Sequence, residues 1–277
     1  MSSPFDPPAA RPSADLPAPA DAPAPADAPA PADAPAPAVG GHAEDRDTRP
    51  QYVLPLVVRL ERTDPPARTD ALETSARAVL TLLADPRVTE PDGEWAERVA
   101  AWEDARIRKV VRRARGGEWR KAGELPGITV TGPGGAEVRV FPPVPLDGWP
   151  KELAKLQVSG TDLDDPEPPG PAPEGVPVLW LNPALEMSAG KTMAQTGHAA
   201  QLAWWELDGP QREKWAAAGF PLAVRTAPTT DWPALTDGRL PVVRDAGFTE
   251  IAPGLTVALE GGTVYCPTPR LQRSRPH

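Results

Sequence analysis

Cysteine is nearly absent: Cys266 is the only one in 277 residues. A single thiol can form neither an internal disulfide nor a cysteine-based metal site, and a chain without disulfides fits a reducing, cytoplasmic compartment. Histidine is almost as scarce, with His42, His198 and His277 alone, so no ligand cluster for a metal is evident and no cofactor is implied. Aromatic residues make up 5% of the chain, and nine of the fifteen are Trp. No apolar run approaches the ~20 residues that a helix needs to span a bilayer. The N-terminus also lacks the basic start and apolar stretch of a secretion signal.

Proline, by contrast, is abundant, with 40 residues. Residues 1–50 repeat Pro-Ala-Pro-Ala-Asp-Ala and carry acids at Asp21, Asp27 and Asp33. Proline this dense removes amide donors and fixes φ, which predicts a disordered, extended tail rather than packed structure. The net charge of −9 is unevenly spread. Residues 1–50 hold eight acids against three Arg, whereas residues 104–121 hold eight Lys or Arg against two acids. A local basic stripe decides phosphate binding more than the sum does.

Residues 51–163 read as a small α+β region. Tyr52–Leu60 is a β-branched, apolar strand in which Pro55 favours an edge or bulge. Asp70–Leu83 is a helix, with Ala71, Leu72, Ala76, Val79, Leu80 and Leu83 at three- and four-residue spacing, ended by Asp85-Pro86. A longer helix is expected over Glu94–Arg115. Ile128–Val130 and Glu137–Phe141 flank Gly132-Pro133-Gly134-Gly135 as a hairpin, and Pro150–Leu156 suits a short helix. On the basic helix, Arg106, Arg108, Lys109, Arg112 and Arg113, with Trp102 and Trp119 nearby, form a patch suited to an RNA backbone. A solvated charged face is the plainer reading.

Residues 164–177 hold six prolines in fourteen positions, a density that predicts a linker. A second domain over 178–265 follows, with residues 266–277 as a C-terminal tail. Strands at Val178–Leu181, Pro221–Thr226, Val242–Arg244 and Leu255–Leu259 alternate with helices at Ser188–Leu207 and Pro210–Ala218. This alternation points to an α/β layered sheet.

Two segments of this second domain carry the chemistry. The first is Leu185-Glu186-Met187-Ser188-Ala189-Gly190-Lys191-Thr192-Met193-Ala194-Gln195-Thr196-Gly197-His198-Ala199-Ala200. The second is Arg244-Asp245-Ala246-Gly247-Phe248-Thr249-Glu250-Ile251-Ala252-Pro253-Gly254-Leu255-Thr256-Val257. Lys191, Gln195 and His198 share one helical face. Lys191 lies in the first turn, where free amides and the helix dipole favour an anion. Asp245 ends a short strand beside small residues that allow close approach. His198 is either the one available imidazole base or a packed core residue. Gly190-Lys191-Thr192 is not a P-loop, since the glycine required five positions earlier is Leu185. No Gly-x-Ser-x-Gly turn supports a serine triad.

Together these segments resemble the type-2 peptidyl-tRNA hydrolase family, over about residues 176–262. The resemblance implies an α/β fold, a mixed four-stranded sheet with helices on both faces, usually assembled as a homodimer. It implies hydrolysis of the ester joining a peptide to tRNA, with no metal and no cofactor. Lys191, Asp245 and Thr249 are the implied catalytic residues, and Gly190, Gln195, His198 and Gly247 the implied substrate contacts. Where the family carries a full helix, Thr229–Leu240 has room for about one turn. The competing expectation is a non-catalytic RNA- or protein-binding module on the same scaffold.

Overall fold

The computed structural model describes residues 49–238, 241–245 and 254–260. The tail expected over 1–50 therefore lies almost wholly outside the described residues, as do the tail at 266–277 and both Gly247 and Thr249. The fold is α/β, with two sheets. In the first, β1 (Tyr52–Arg59) is flanked by parallel β2 (Arg108–Ala114) and antiparallel β4 (Glu137–Val140), which pairs with β3 (Ile128–Thr131). A two-residue strand, β5 (Val144–Pro145), joins β1 beside β4. In the second, β6 (Val178–Leu181) is flanked by parallel β7 (Ala223–Thr226) and antiparallel β9 (Gly254–Glu260), which pairs with β8 (Val242–Asp245).

The two strand orders, β2-β1-β4-β3 and β7-β6-β9-β8, are the same arrangement met twice along the chain. A long helix follows the first strand of each: α1 (Arg68–Leu83) after β1 and, further along, α6 (Ala189–Glu206) after β6. Between them come α2 (Pro86–Thr89), α3 (Ala96–Asp104), α4 (Gly116–Gly123) and α5 (Lys151–Ala154). After α6 come α7 (Gly209–Ala217) and α8 (Trp232–Leu235). The last is the single turn for which Thr229–Leu240 leaves room. Among the described residues no helix is long and apolar enough to cross a membrane.

α1 and α6 pack side by side and run in the same direction. Small residues permit this: a Cβ added to Gly197 would lie 3.0 Å from Val79 Cγ2. The contact is also reciprocal. Ser75 Oγ donates to Met193 O at 3.1 Å, and Thr196 Oγ1 reaches Leu72 O at 3.3 Å while sharing its proton with Met193 O of its own helix at 3.0 Å. Each helix lies on its own sheet and also reaches an edge strand of the other, α6 against β2 and α1 against β7. On that second contact, Glu73 Oε1 accepts from Val224 N at 3.1 Å and from Arg225 Nη1 at 3.0 Å. One apolar core therefore joins both sheets, with Leu54, Leu72 and Val79 from one half and Leu179, Met193 and Trp204 from the other. Burying each such leucine contributes about 1.5–3 kcal/mol.

The Pro-rich stretch is pinned at several points. Thr69 donates from N and Oγ1 to the Asp165 carboxylate at 2.8 and 2.7 Å, Arg68 N to Asp164 O at 3.2 Å, and Arg225 Nε to Gly170 O at 2.7 Å.

Two local expectations are corrected. The helix expected over Glu94–Arg115 stops at Asp104, and the basic segment is strand β2. Ile107, Val110 and Val111 favour extended backbone, and the seven-residue parallel register with β1 outweighs the helical leaning of the arginines. Pro55, expected to mark an edge or a bulge, is not at an edge but in the middle of the first sheet. Its carbonyl accepts from Phe141 N at 3.1 Å, so its missing donor faces the same side. There the partner of β1 changes from β5, at Val53, to β4, at Leu56.

Candidate functional site

The carboxyl end of β6 opens into residues 182–188 and then into the first turn of α6. Because β9 runs antiparallel to β6, its start at Gly254 lies at this same edge, and so does the end of β8, with Asp245 opposite Gly254. In open α/β sheets this carboxyl edge is where ligands bind. The β8–β9 ladder shifts register between Val243 and Arg244, just ahead of Asp245. The backbone thus brings the Gly190-Lys191 turn and the Asp245 strand end to one edge. Gly247 and Thr249 belong to the connection between β8 and β9, outside the described residues.

The N-terminus of α6 is built with help from the preceding connection. Ser188 occupies the cap position, yet its side chain makes no capping hydrogen bond. Instead Gly190 N donates to Thr161 Oγ1 at 2.9 Å. Thr161 is fully buried, and a Cβ on Gly190 would fall 2.5 Å from its Oγ1. Glycine is needed here for internal packing. Lys191, one residue on, is partly exposed. Thr192 donates from Oγ1 to Ser188 O at 3.0 Å and accepts from Arg68 Nη2 at 3.3 Å.

The remaining predicted contacts turn inward. Gln195 is buried. His198 Nε2 lies 2.6 Å from Ile107 O, which can only accept, so Nε2 carries the proton. Burial, with the electrostatic effect of nearby Lys109, pushes the imidazole down to about 3 despite the bond to Ile107. His198 is therefore neutral and anchors α6 to the entry of β2, about two helical turns from Lys191.

The basic patch is corrected in part. Lys109, expected on a phosphate-facing surface, is buried: its Nζ donates to Gln201 Oε1 at 2.5 Å and sits 4.7 Å from the Trp102 ring. Desolvation holds it well below the usual lysine range, against the pull of Glu103. Arg112 donates to Ala154 O at 3.1 Å and to Leu156 O at 2.5 Å, and stacks 4.4 Å from the Trp149 ring. Arg113 donates to Ser159 O at 2.9 Å and also bonds Gln157 Oε1. Arg108 Nη1 bonds Gln51 Oε1 at 2.5 Å, and Arg106 is partly exposed. These side chains mostly tie β2 to the chain around it.

An open depression of about 550 Å³ lies beside α4, lined by Glu61, Arg115, Gly116, Glu118, Lys121 and Lys155 among others. It contains none of the predicted site residues, and the sheet-edge geometry is the better guide to chemistry. Thr161 and Arg68 are the residues that sequence reasoning missed. Neither sits in a motif, and only the fold brings them to α6. The chain matches no protein-family model, no curated protein and no solved structure.

Proposed function

We propose that the chain hydrolyses the ester of peptidyl-tRNA, releasing free tRNA and peptide, and so recycles tRNA from aborted translation in a cytoplasmic setting. The observation that carries this reading is the shared sheet edge, with Gly190-Lys191 opening α6 and Asp245 closing β8. Asp245 takes a proton from water as the water oxygen attacks the ester carbonyl. Lys191 and the first amides of α6 stabilise the oxyanion or hold a tRNA phosphate. Collapse breaks the bond to the ribose oxygen, which takes the proton back. Thr249 orients Asp245 or the water, and Gly247 leaves room for the substrate. His198, neutral and bonded to Ile107, does not serve as the base.

One observation favours the other reading, a non-catalytic RNA- or protein-binding module. Gly190, Gln195 and His198 are all engaged inside the protein, so fewer groups face a substrate than the motif implies. The deciding experiment is incubation with an N-blocked aminoacyl-tRNA, with and without EDTA, beside Asp245→Ala and Lys191→Ala. The hydrolase reading expects release of free tRNA that survives EDTA. It expects loss of release with Asp245→Ala and a fall of about 10²–10³ with Lys191→Ala. Binding without release identifies the module.

A further inference from the structure

The repeated strand order has a consequence for how many sites the chain holds. Met193 stands three residues before Thr196 in α6 as Leu72 stands three before Ser75 in α1, and these four residues exchange the reciprocal hydrogen bonds. Counted from these pairs, the position held by Lys191 in α6 is held by Asp70 in α1.

The first half closes that position with its own chain. Asp70 Oδ2 accepts from Ala136 N at 2.8 Å, and a Cβ on Gly132 would lie 2.4 Å from Asp70 Oδ1. Hairpin β3–β4 therefore folds down onto Asp70, where the second half carries the longer connection from Asp245 to Gly254. A carboxylate replaces the ammonium, and a glycine turn fills the space that a ligand would take.

Arg68 does the opposite. It stands at the start of α1, partly exposed, and because α1 and α6 run parallel its guanidinium reaches across to Thr192 Oγ1 at 3.3 Å. Among the described residues no carboxylate pairs with it.

We propose that the first half is a silent second copy of the second half and acts as its built-in partner subunit. The chain then has a single site, at the α6 edge, and the silent copy completes it by lending Arg68 as a contact for tRNA phosphate. The Arg68 role rests on the α6 edge being the substrate site, whereas the built-in partner does not. A homodimer, the assembly implied by the family resemblance, is replaced by a pseudo-dimer within one chain.

The test takes the full chain through two measurements. Light scattering across micromolar concentrations reads the mass, and a monomer of 29.4 kDa is expected. A stable dimer overturns the built-in partner. Titration with labelled deacylated tRNA over a range of salt then reads Arg68. Loss of one phosphate contact lowers the salt-dependence slope by about 1, which a merely structural arginine leaves untouched. Arg68→Ala is expected to lower the slope in this way and to weaken binding by about tenfold. Arg68→Lys restores the slope, and Asp70→Asn leaves both as in the wild type. An unchanged slope in Arg68→Ala overturns the lent contact, and a changed one in Asp70→Asn overturns the silence of the first half. If the wild type binds no tRNA, the hydrolase reading fails and the Arg68 role falls with it, while the mass still decides the pseudo-dimer.

Discussion

Lys109 on β2 donates a hydrogen bond to Gln201 on α6 across 2.5 Å, inside the seam where the first sheet meets the helix of the second half. Gln201 passes a further bond from Nε2 to Glu103 Oε1 at 3.2 Å, and His198 meets Ile107 O beside them. This seam is polar, buried and shared between the halves, so protons bound there are linked to folding.

His198 gives an acid slope. Its pKa falls to about 3 in the folded chain, against about 6.5 when unfolded. A lowered histidine pKa means that the unfolded chain binds the extra proton. Its stabilising effect is complete above the unfolded value and is lost as pH falls towards 3, at about 1.4 kcal/mol per pH unit. Urea midpoints between pH 7 and 5 should fall in the wild type. In His198→Gln, which keeps a donor for Ile107 O, the fall should be much smaller. Equal slopes in the two proteins would mean that His198 is solvated.

Lys109 gives a slope on the alkaline side. Burial lowers its pKa well below the usual value, so folding favours the neutral amine, and stability rises as pH climbs towards the unfolded value near 10.4. Lys109→Met keeps the stem that packs beside Gly197 and removes the titration. Denaturation followed from pH 7 to 10 should show the rise in the wild type and a flat profile in the variant. The variant should be as stable as the wild type at pH 7, or more so. A variant that loses several kcal/mol at pH 7 would show instead that the charge is held and needed.

The seam also marks where sequence reading stopped. Helix α1, hairpin β3–β4, strand β6 and helix α6 each follow from local periodicity and turn chemistry, and each is present. Segment 94–115 misled because arginine is compatible with a helix, and only pairing with β1 decides otherwise. Lys109 looked like its partly exposed neighbours, since nothing local distinguishes a lysine that meets Gln201 from one that meets water. The duplication was hidden for a related reason. Where α1 and α6 correspond, they share a hydroxyl at Ser75 and Thr196 but not the Gly-Lys pair, and the first hairpin is shorter. At the candidate site, Lys191 and Asp245 stand out by residue type and position. Thr161 and Arg68 come from distant stretches and carry no motif.

Gly190 separates packing from chemistry. Its substitution by Ala places a Cβ 2.5 Å from Thr161 Oγ1, which should cost about 1–3 kcal/mol. Thr161→Ala removes the obstructing oxygen, so the double variant should melt with Thr161→Ala alone, a coupling that independent sites would not show. Thermal melts of the four proteins decide this. If Gly190→Ala melts like the wild type, the packing account is wrong. If the double variant regains stability but not turnover, the glycine also serves the substrate.

The reciprocal hydroxyls test whether the halves fold as one. Ser75→Ala and Thr196→Val each remove a donor, while the acceptors Met193 O and Leu72 O lie within helices where backbone bonding persists. No carbonyl is then orphaned, and each change should cost about 0.5–1.5 kcal/mol. One change lies in each half, and the two are not equivalent, since the Thr196 hydroxyl also bonds Met193 O within α6 at 3.0 Å. The shared core further requires that either substitution move the whole transition. Trp fluorescence and far-UV circular dichroism should therefore report one coincident urea midpoint in both variants. Two separated transitions, with Ser75→Ala moving one and Thr196→Val the other, would show that the sheets fold as independent domains and that the helix pair is a docking contact rather than a core.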